Sequence, residues 1–346
     1  MRDIWKIVKK WQSADQRVAL ATVIKVSGSS LRPEGSKLVI SSAGAIHGSV
    51  TGGCVEGAVF EEAGEVLKTG TPRLLSYGVT NEQAWDVGLS CGGAVEIFVE
   101  TMANPAWSAI LPAMERNLAE NRLAALLTVV RGEGTGSKIL VQADGTVYGS
   151  LGNLDLDRQA INGLPDNWAT HTPMQIELKN GLIVFADFIV PPPRLIIIGA
   201  SHIAIPLVSL AKTLEYRTIV VDARSAFATR ERFPHADELI VGWPSEVLQQ
   251  LKPDAATCVV ALSHDDKLDN PALLYAITSE ARYIGALGSR TTNAKRLEAL
   301  REEGAKEEEL KRIHAPVGLK IGARQPAEIA LSIMAEIVAT AHNIDG

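Results

Sequence analysis

The 346-residue sequence predicts an α/β protein in two parts. A mixed α+β domain spans residues 1–190, and a doubly wound parallel sheet spans residues 194–346. Three observations carry this. The triple proline Pro191-Pro192-Pro193 ends one pattern of elements. Short strand runs with hairpin turns crowd the stretch before it. After it, apolar β-branched runs alternate with helical patterns, the signature of a parallel sheet.

In the first half, Ile4, Ile7, Val8 and Trp11 recur at helical spacing, so the chain opens on an amphipathic helix. Val18 to Val26 is a β-type run. A loop of small residues, Ser27 to Ser36, follows it. Lys37 to Ser41 and Ile46 to Val50 are short strands around Ala43-Gly44. Val55, Val59, Ala63 and Val66 keep an i, i+4 rhythm, so a helix starts near Cys54 with Gly52 and Gly53 in the turn before it. Val95 to Val99 is a strand, Trp107 to Asn121 a helix and Leu123 to Val130 a strand. Hairpins follow around Asp144-Gly145 and Asn180-Gly181, both strong turn dipeptides. No internal repeat is apparent.

Two cysteines of this half stand among glycines, in Thr51-Gly52-Gly53-Cys54 and in Ser90-Cys91-Gly92-Gly93. Helix N-termini carry unpaired N–H groups and a partial positive charge; they bind anions and lower the pKa of a nearby thiol. One reading is a small-molecule pocket lined by backbone amides and thiols. The other is that the glycines mark tight turns and the cysteines are small core residues. His47, Cys54 and Cys91 lack the close paired spacing of zinc ligands.

The second half opens with the strand Arg194 to Ile198, a glycine turn, a helix from Ile203 to about Leu214, and the strand Tyr216 to Val221 ending in Asp222. This is the start of a Rossmann-like dinucleotide-binding βαβ unit. Its fingerprint is Gly199-x-Ser201-x-x-Ala204 in place of Gly-x-Gly-x-x-Gly. Ser201 narrows the space at the position where backbone approaches a pyrophosphate, or donates to a phosphate itself. Asp222 is placed to bind a ribose. Glu238 to Val241, Ala256 to Leu262 and Tyr283 to Leu287 continue the sheet, and Pro326 to Ala341 closes the chain as a long helix. Ligands of such sheets sit beyond the carboxyl ends of the strands. There stand Gly199, Ser201 and His202, then Asp222, then His264, then Gly288-Ser289-Arg290, a group suited to an anion. Cys258, inside an apolar strand, is expected in the core.

A net charge of −6 and 5% aromatics argue against nucleic-acid binding. The most apolar stretch, residues 182–211, is broken by Asp187, three prolines, Arg194 and His202, so no membrane span of about 20 apolar residues fits. The first residues carry charges where a signal peptide needs an apolar core, and three cysteines form no disulfide framework. The expectation is a cytoplasmic protein.

These segments together resemble the XdhC/CoxI family, accessory proteins of molybdenum hydroxylases such as xanthine dehydrogenase. The motifs are Ser27-Gly28-Ser29-Ser30 with Arg32-Pro33, Gly48-Ser49-Val50-Thr51-Gly52-Gly53-Cys54-Val55-Glu56, Gly88-Leu89-Ser90-Cys91-Gly92-Gly93, Tyr283 to Arg290, and Arg312 to Gly318. The resemblance implies a chaperone that binds the molybdenum cofactor (molybdopterin), supports its sulfuration by a partner cysteine desulfurase, and delivers it to the hydroxylase. The residues themselves are compatible with this: amides at the helix start by Gly52 and Gly53 can hold the cofactor's phosphate, and a thiolate such as Cys54, with Cys91 as a second thiol, is a candidate ligand of molybdenum. A homodimer is expected. The alternative is an NAD(P)-dependent oxidoreductase using the second half, for which no clear proton-transfer pair stands beside the fingerprint.

Overall fold

The computed structural model describes residues 2–28, 32–53, 55–78, 93–166, 168, 172–179, 181–342 and 344. The chain divides into two compact units, Met1–Pro191 and Pro192–Gly346.

The first unit runs α1 (Arg2–Gln12), β1 (Val18–Ser27), β2 (Lys37–Ser41), β3 (Ile46–Gly48), α2 (Glu56–Thr69), β4 (Arg73–Tyr77), β5 (Ala94–Thr101) and α3 (Pro105–Glu120). It continues β6 (Ala124–Arg131), β7 (Lys138–Gln142), β8 (Val147–Ser150), α4 (Leu154–Asn162), β9 (Met174–Glu177) and β10 (Ile183–Ile189). Among the described residues, β3-β2-β1-β5-β4 form one antiparallel sheet and β8-β7-β6-β10-β9 a second.

These orders are the same order, each with one helix between its third and fourth strands. The first unit is a structural duplication, which corrects the expectation of no repeat. Its trace in the sequence is a gapless match of residues 35–56 with 136–157. Gly35, Ser36, Lys37, Gly44, Gly48 and Ser49 are answered there by Gly136, Ser137, Lys138, Gly145, Gly149 and Ser150. Fixed backbone and buried charge keep these positions alike while the apolar positions vary freely.

Alternation along the strands gives each sheet two apolar faces. Ala19, Ala21 and Val23 of β1 pack with Val59, Ala63 and Val66 of α2. Ala125, Leu127 and Val129 of β6 pack with Ala160 of α4. The opposite faces meet through Ile24, Phe98, Val130 and Phe185. Leu20, Val39, Leu126 and Leu140 join α1 and α3 in a further cluster.

The second unit runs β11 (Arg194–Ile198), α5 (Ala204–Thr213), β12 (Arg217–Asp222), β13 (Glu238–Val241), α6 (Pro244–Leu251), β14 (Thr257–Ala261) and α7 (Asp266–Thr278). It ends with β15 (Tyr283–Ala286), α8 (Arg290–Glu302), α9 (Glu307–Leu310), β16 (Ile313–His314) and α10 (Pro326–Ala341). Its strands form one parallel sheet in the order β13-β12-β11-β14-β15-β16, the order of the dinucleotide-binding fold. Leu195 and Ile197 pack with α5 and α10, and Ile196 and Ile198 with α6 and α7, so the strand is apolar throughout because both faces are covered. β16 is not anticipated from the sequence, since two residues leave no readable apolar run. Cys258 is buried in β14 as expected, and burial pushes its thiol up to about 11. No helix among the described residues is long and apolar enough to cross a membrane.

Candidate functional site

The turn before α2 is built around its first residue. Glu56 Oε1 accepts hydrogen bonds from Ser49 Oγ at 2.7 Å and from the N–H groups of Val50, Thr51 and Gly52 at 3.2, 2.9 and 3.0 Å. Its Oε2 accepts from Thr51 Oγ1 at 2.6 Å and Gly53 N–H at 2.8 Å. Burial opposes ionisation here, and the bonds from Thr51 and Ser49 outweigh it, so the carboxyl is lowered from 4.5 to about 2. The amides of Gly52 and Gly53 therefore serve the chain's own carboxylate. Their glycines permit the positive φ of +83° and +122° that turns both N–H groups inward. Cys54, next in sequence, and Cys91 lie outside the described residues.

The second repeat builds a smaller version of this turn. Asp157, in the place of Glu56, accepts from Ser150 Oγ at 3.0 Å and Leu151 N–H at 2.7 Å. Asp155 stands where the first repeat has Cys54, so only one of the two turns carries a thiol.

Between the sheets the repeats exchange charges. Lys37 Nζ of β2 lies 2.6 Å from Asp187 Oδ2 of β10, and Lys138 Nζ of β7 lies 2.7 Å from Glu100 Oε1 of β5. Lys138 also donates to Thr128 Oγ1 at 3.0 Å and sits 4.5 Å over the Trp107 ring. Burial pushes the Glu100 carboxyl up and the Lys138 ammonium down, each partly offset by the other. Thr22, Phe98, Phe185, Lys37, Glu100 and Asp187 line a cavity of about 20 Å³, the size of a single water. That volume excludes an organic ligand, so these lysines hold the unit together. Lys37, Glu100, Lys138 and Asp187 are missed by motif reading; aligning residues 35–56 on 136–157 is the signal that finds the lysines.

In the second unit the expected residues gather at the carboxyl ends of the strands. Gly199, with φ of +94°, follows β11; a Cβ there would lie 2.5 Å from the backbone of Ser263, so glycine is needed for β11 and β14 to stay adjacent. Ser201 Oγ is buried and has no hydrogen-bond partner among the described residues, while His202 is exposed. His264 is exposed with φ of +59°. Gly288 has φ of +148°, and Ser289 caps α8 by accepting from Thr292 N–H at 3.0 Å. Arg290 is exposed at the start of that helix.

Asp222 is fully buried at the end of β12. Its Oδ1 accepts from Arg224 N–H and Nε, both at 2.9 Å, and its Oδ2 from Ala200 N–H and Arg224 Nη2, both at 2.8 Å. Burial opposes its charge, and the bonds from Arg224 and Ala200 hold the carboxyl below its usual range. Behind the strand ends, Arg296 reaches Leu287 O at 2.8 Å and Asn293 Oδ1 at 2.7 Å, and lies 3.5 Å from Asp269 Oδ2. Asp269 Oδ1 in turn accepts from Ser263 Oγ at 2.6 Å. This network ties the turns after β14 and β15 together. Among the described residues no group of three or more His, Cys, Asp or Glu gathers to hold a metal.

Comparison with known proteins matches residues 11–78 to the XdhC and CoxI family and residues 195–337 to the XdhC Rossmann domain. The chain is 29% identical over 332 residues to a probable xanthine dehydrogenase subunit of Bacillus subtilis (strain 168), covering 94% of this chain and 93% of that protein. It is 29% identical over 318 residues to the molybdenum cofactor insertion chaperone PaoD of Escherichia coli (strain K12), covering 92% of this chain and 81% of that one. The crystal structure of a xanthine dehydrogenase from Bacillus halodurans shares the fold, with a TM-score of 0.79 at 24% identity over 98% of this chain and 96% of that one.

Proposed function

Because this chain belongs to the XdhC and CoxI family, we propose that it is an accessory protein that binds molybdenum cofactor and delivers it to a xanthine dehydrogenase-type molybdenum hydroxylase. Sulfuration of the cofactor by a partner cysteine desulfurase during its stay, and a homodimeric state, belong to the same reading.

The observation that carries it is the Glu56-centred turn. Six hydrogen bonds on one carboxylate fix residues 49–53, the segment that precedes Cys54 in the sequence. A soft thiolate suits molybdenum, so Cys54 is the candidate contact to the metal, with Cys91 as a second thiol. The fit does not extend to the glycine amides. Gly52 and Gly53 already donate to Glu56, so the phosphate of the pterin is not assigned to them. When bound, the cofactor supplies the molybdenum and its dithiolene sulfurs; the protein supplies the shaped turn and the thiols.

The test is retention and transfer. Purified protein is assayed for molybdenum and pterin, then for activation of an apo-hydroxylase, with Cys54→Ala and Cys91→Ala made separately. Loss of both retention and activation in Cys54→Ala, at unchanged melting temperature, supports the reading. Full retention and full activation in that variant removes Cys54 from the metal. A wild-type protein that takes up no pterin overturns the function itself.

A further inference from the structure

The end of β12 is where a dinucleotide-binding sheet meets the ribose. A free ribose hydroxyl needs an acceptor there. Asp222 has no surface, and each of its oxygens already accepts two hydrogen bonds. The group presented to solvent is Arg224, whose side chain is 40% exposed. Its guanidinium is gripped from one edge by Asp222 and lies 4.3 Å over the Phe227 ring. Arg232 flanks the same ring at 5.4 Å and donates to Phe227 O at 2.7 Å, fixing the shelf on which Arg224 rests. Among the described residues Arg224 Nη1 makes no hydrogen bond. Asp265 and Asp269 act on Arg224 through space, but Asp265 caps α7 and Asp269 faces Arg296, so neither lies in hydrogen-bond contact with the guanidinium.

We propose that the strand-end crevice of the second unit takes a dinucleotide with a phosphate on the ribose beside β12, in preference to one with a free hydroxyl, and that Arg224 selects it. A planar guanidinium offers paired donors to a phosphate and an open face to the base. Asp222 is a positioning residue: it aims Arg224 and does not touch the ligand. Ser201 Oγ, buried and unpartnered among the described residues, is a spare donor at the same, carboxyl, end of the sheet, in the turn between β11 and α5. The inference does not rest on the molybdenum cofactor reading.

The test is calorimetric titration of the full chain with NADP+ and with NAD+. NADP+ is expected to bind about 10- to 100-fold more tightly, the range of one or two charge-assisted hydrogen bonds. Arg224→Gln should bring the two within about twofold, and Arg224→Lys should keep part of the difference. Equal or tighter binding of NAD+, no binding of either at millimolar concentration, or an undiminished preference in a folded Arg224→Gln protein overturns the proposal. If Arg224→Gln does not fold, the wild-type comparison and Phe227→Ala, which removes the shelf and leaves the ion pair, decide it: the preference must shrink in Phe227→Ala. Molybdenum retention is read in a separate assay, so failure of nucleotide binding leaves the cofactor reading standing.

Discussion

Lys138 on β7 and Glu100 on β5 form an ion pair 2.7 Å long between two repeats of one chain, with side-chain exposures of 0% and 5%. The mirrored pair, Lys37 with Asp187, makes the same crossing in the other direction. Each repeat contributes one buried lysine and one buried carboxylate, and each of these charges finds its hydrogen-bonded partner in the other repeat.

Breaking one crossing should be costly. Lys138→Met leaves Glu100 buried without its partner and is expected to lower unfolding stability by about 3–5 kcal/mol in urea titrations. Adding Glu100→Leu should recover most of that loss, because an apolar pair of similar volume carries no desolvation cost. A double variant no more stable than Lys138→Met would show that the pair is not the cause.

Glu56 makes the fold sensitive to acid. Its carboxyl sits at about 2 in the folded protein against 4.5 ordinarily. A lowered folded value means the contribution is fully present above 4.5 and is lost as pH falls towards 2. Thermal melts in that window should fall less steeply in Glu56→Gln than in wild type. At neutral pH the same variant should be less stable by about 2 kcal/mol, since a carboxamide cannot accept all six donors.

Gly48 and Gly149 are equivalent, with φ of +90° and +82°. A Cβ on Gly48 would lie 2.3 Å from the Lys37 carbonyl oxygen, and one on Gly149 would lie 2.4 Å from that of Lys138. Alanine at either position should cost about 2 kcal/mol or more, from clash and left-handed backbone together. Gly145→Ala, with φ of +84° and open space around it, isolates the backbone share and should cost about 1 kcal/mol. Equal losses at all three sites would remove the clash from the account.

Arg296 has a side chain 2% exposed and carries the turns after β14 and β15. Arg296→Met leaves Asp269 without its cation and should lower stability by about 3 kcal/mol in denaturant melts. Hydrogen exchange should quicken at residues 263–265 and 287–293 before it does in the strands.

Much of this protein was legible in the sequence, for physical reasons. Parallel strands covered on both faces must be apolar without interruption, so β11, β12 and β14 stood out, and the proline run Pro191–Pro193 cannot continue helix or sheet. The turn at Gly52-Gly53 could be read because positive φ calls for glycine. What local pattern could not supply is where a charged side chain goes. The amides of Gly52 and Gly53 look free until Glu56 folds back onto them, and Asp222 looks open to a ribose until Arg224, two residues on, closes over it. The repeat hid for a related reason. Apolar positions need only volume and drift freely, while the lysine–carboxylate pairs that bind the halves lie 38 and 150 residues apart along the chain. Sequence pattern determined most of the elements and their order, with β4, α4 and β16 left to the structure; which polar group satisfies which was decided only when burial left each of them a single available partner.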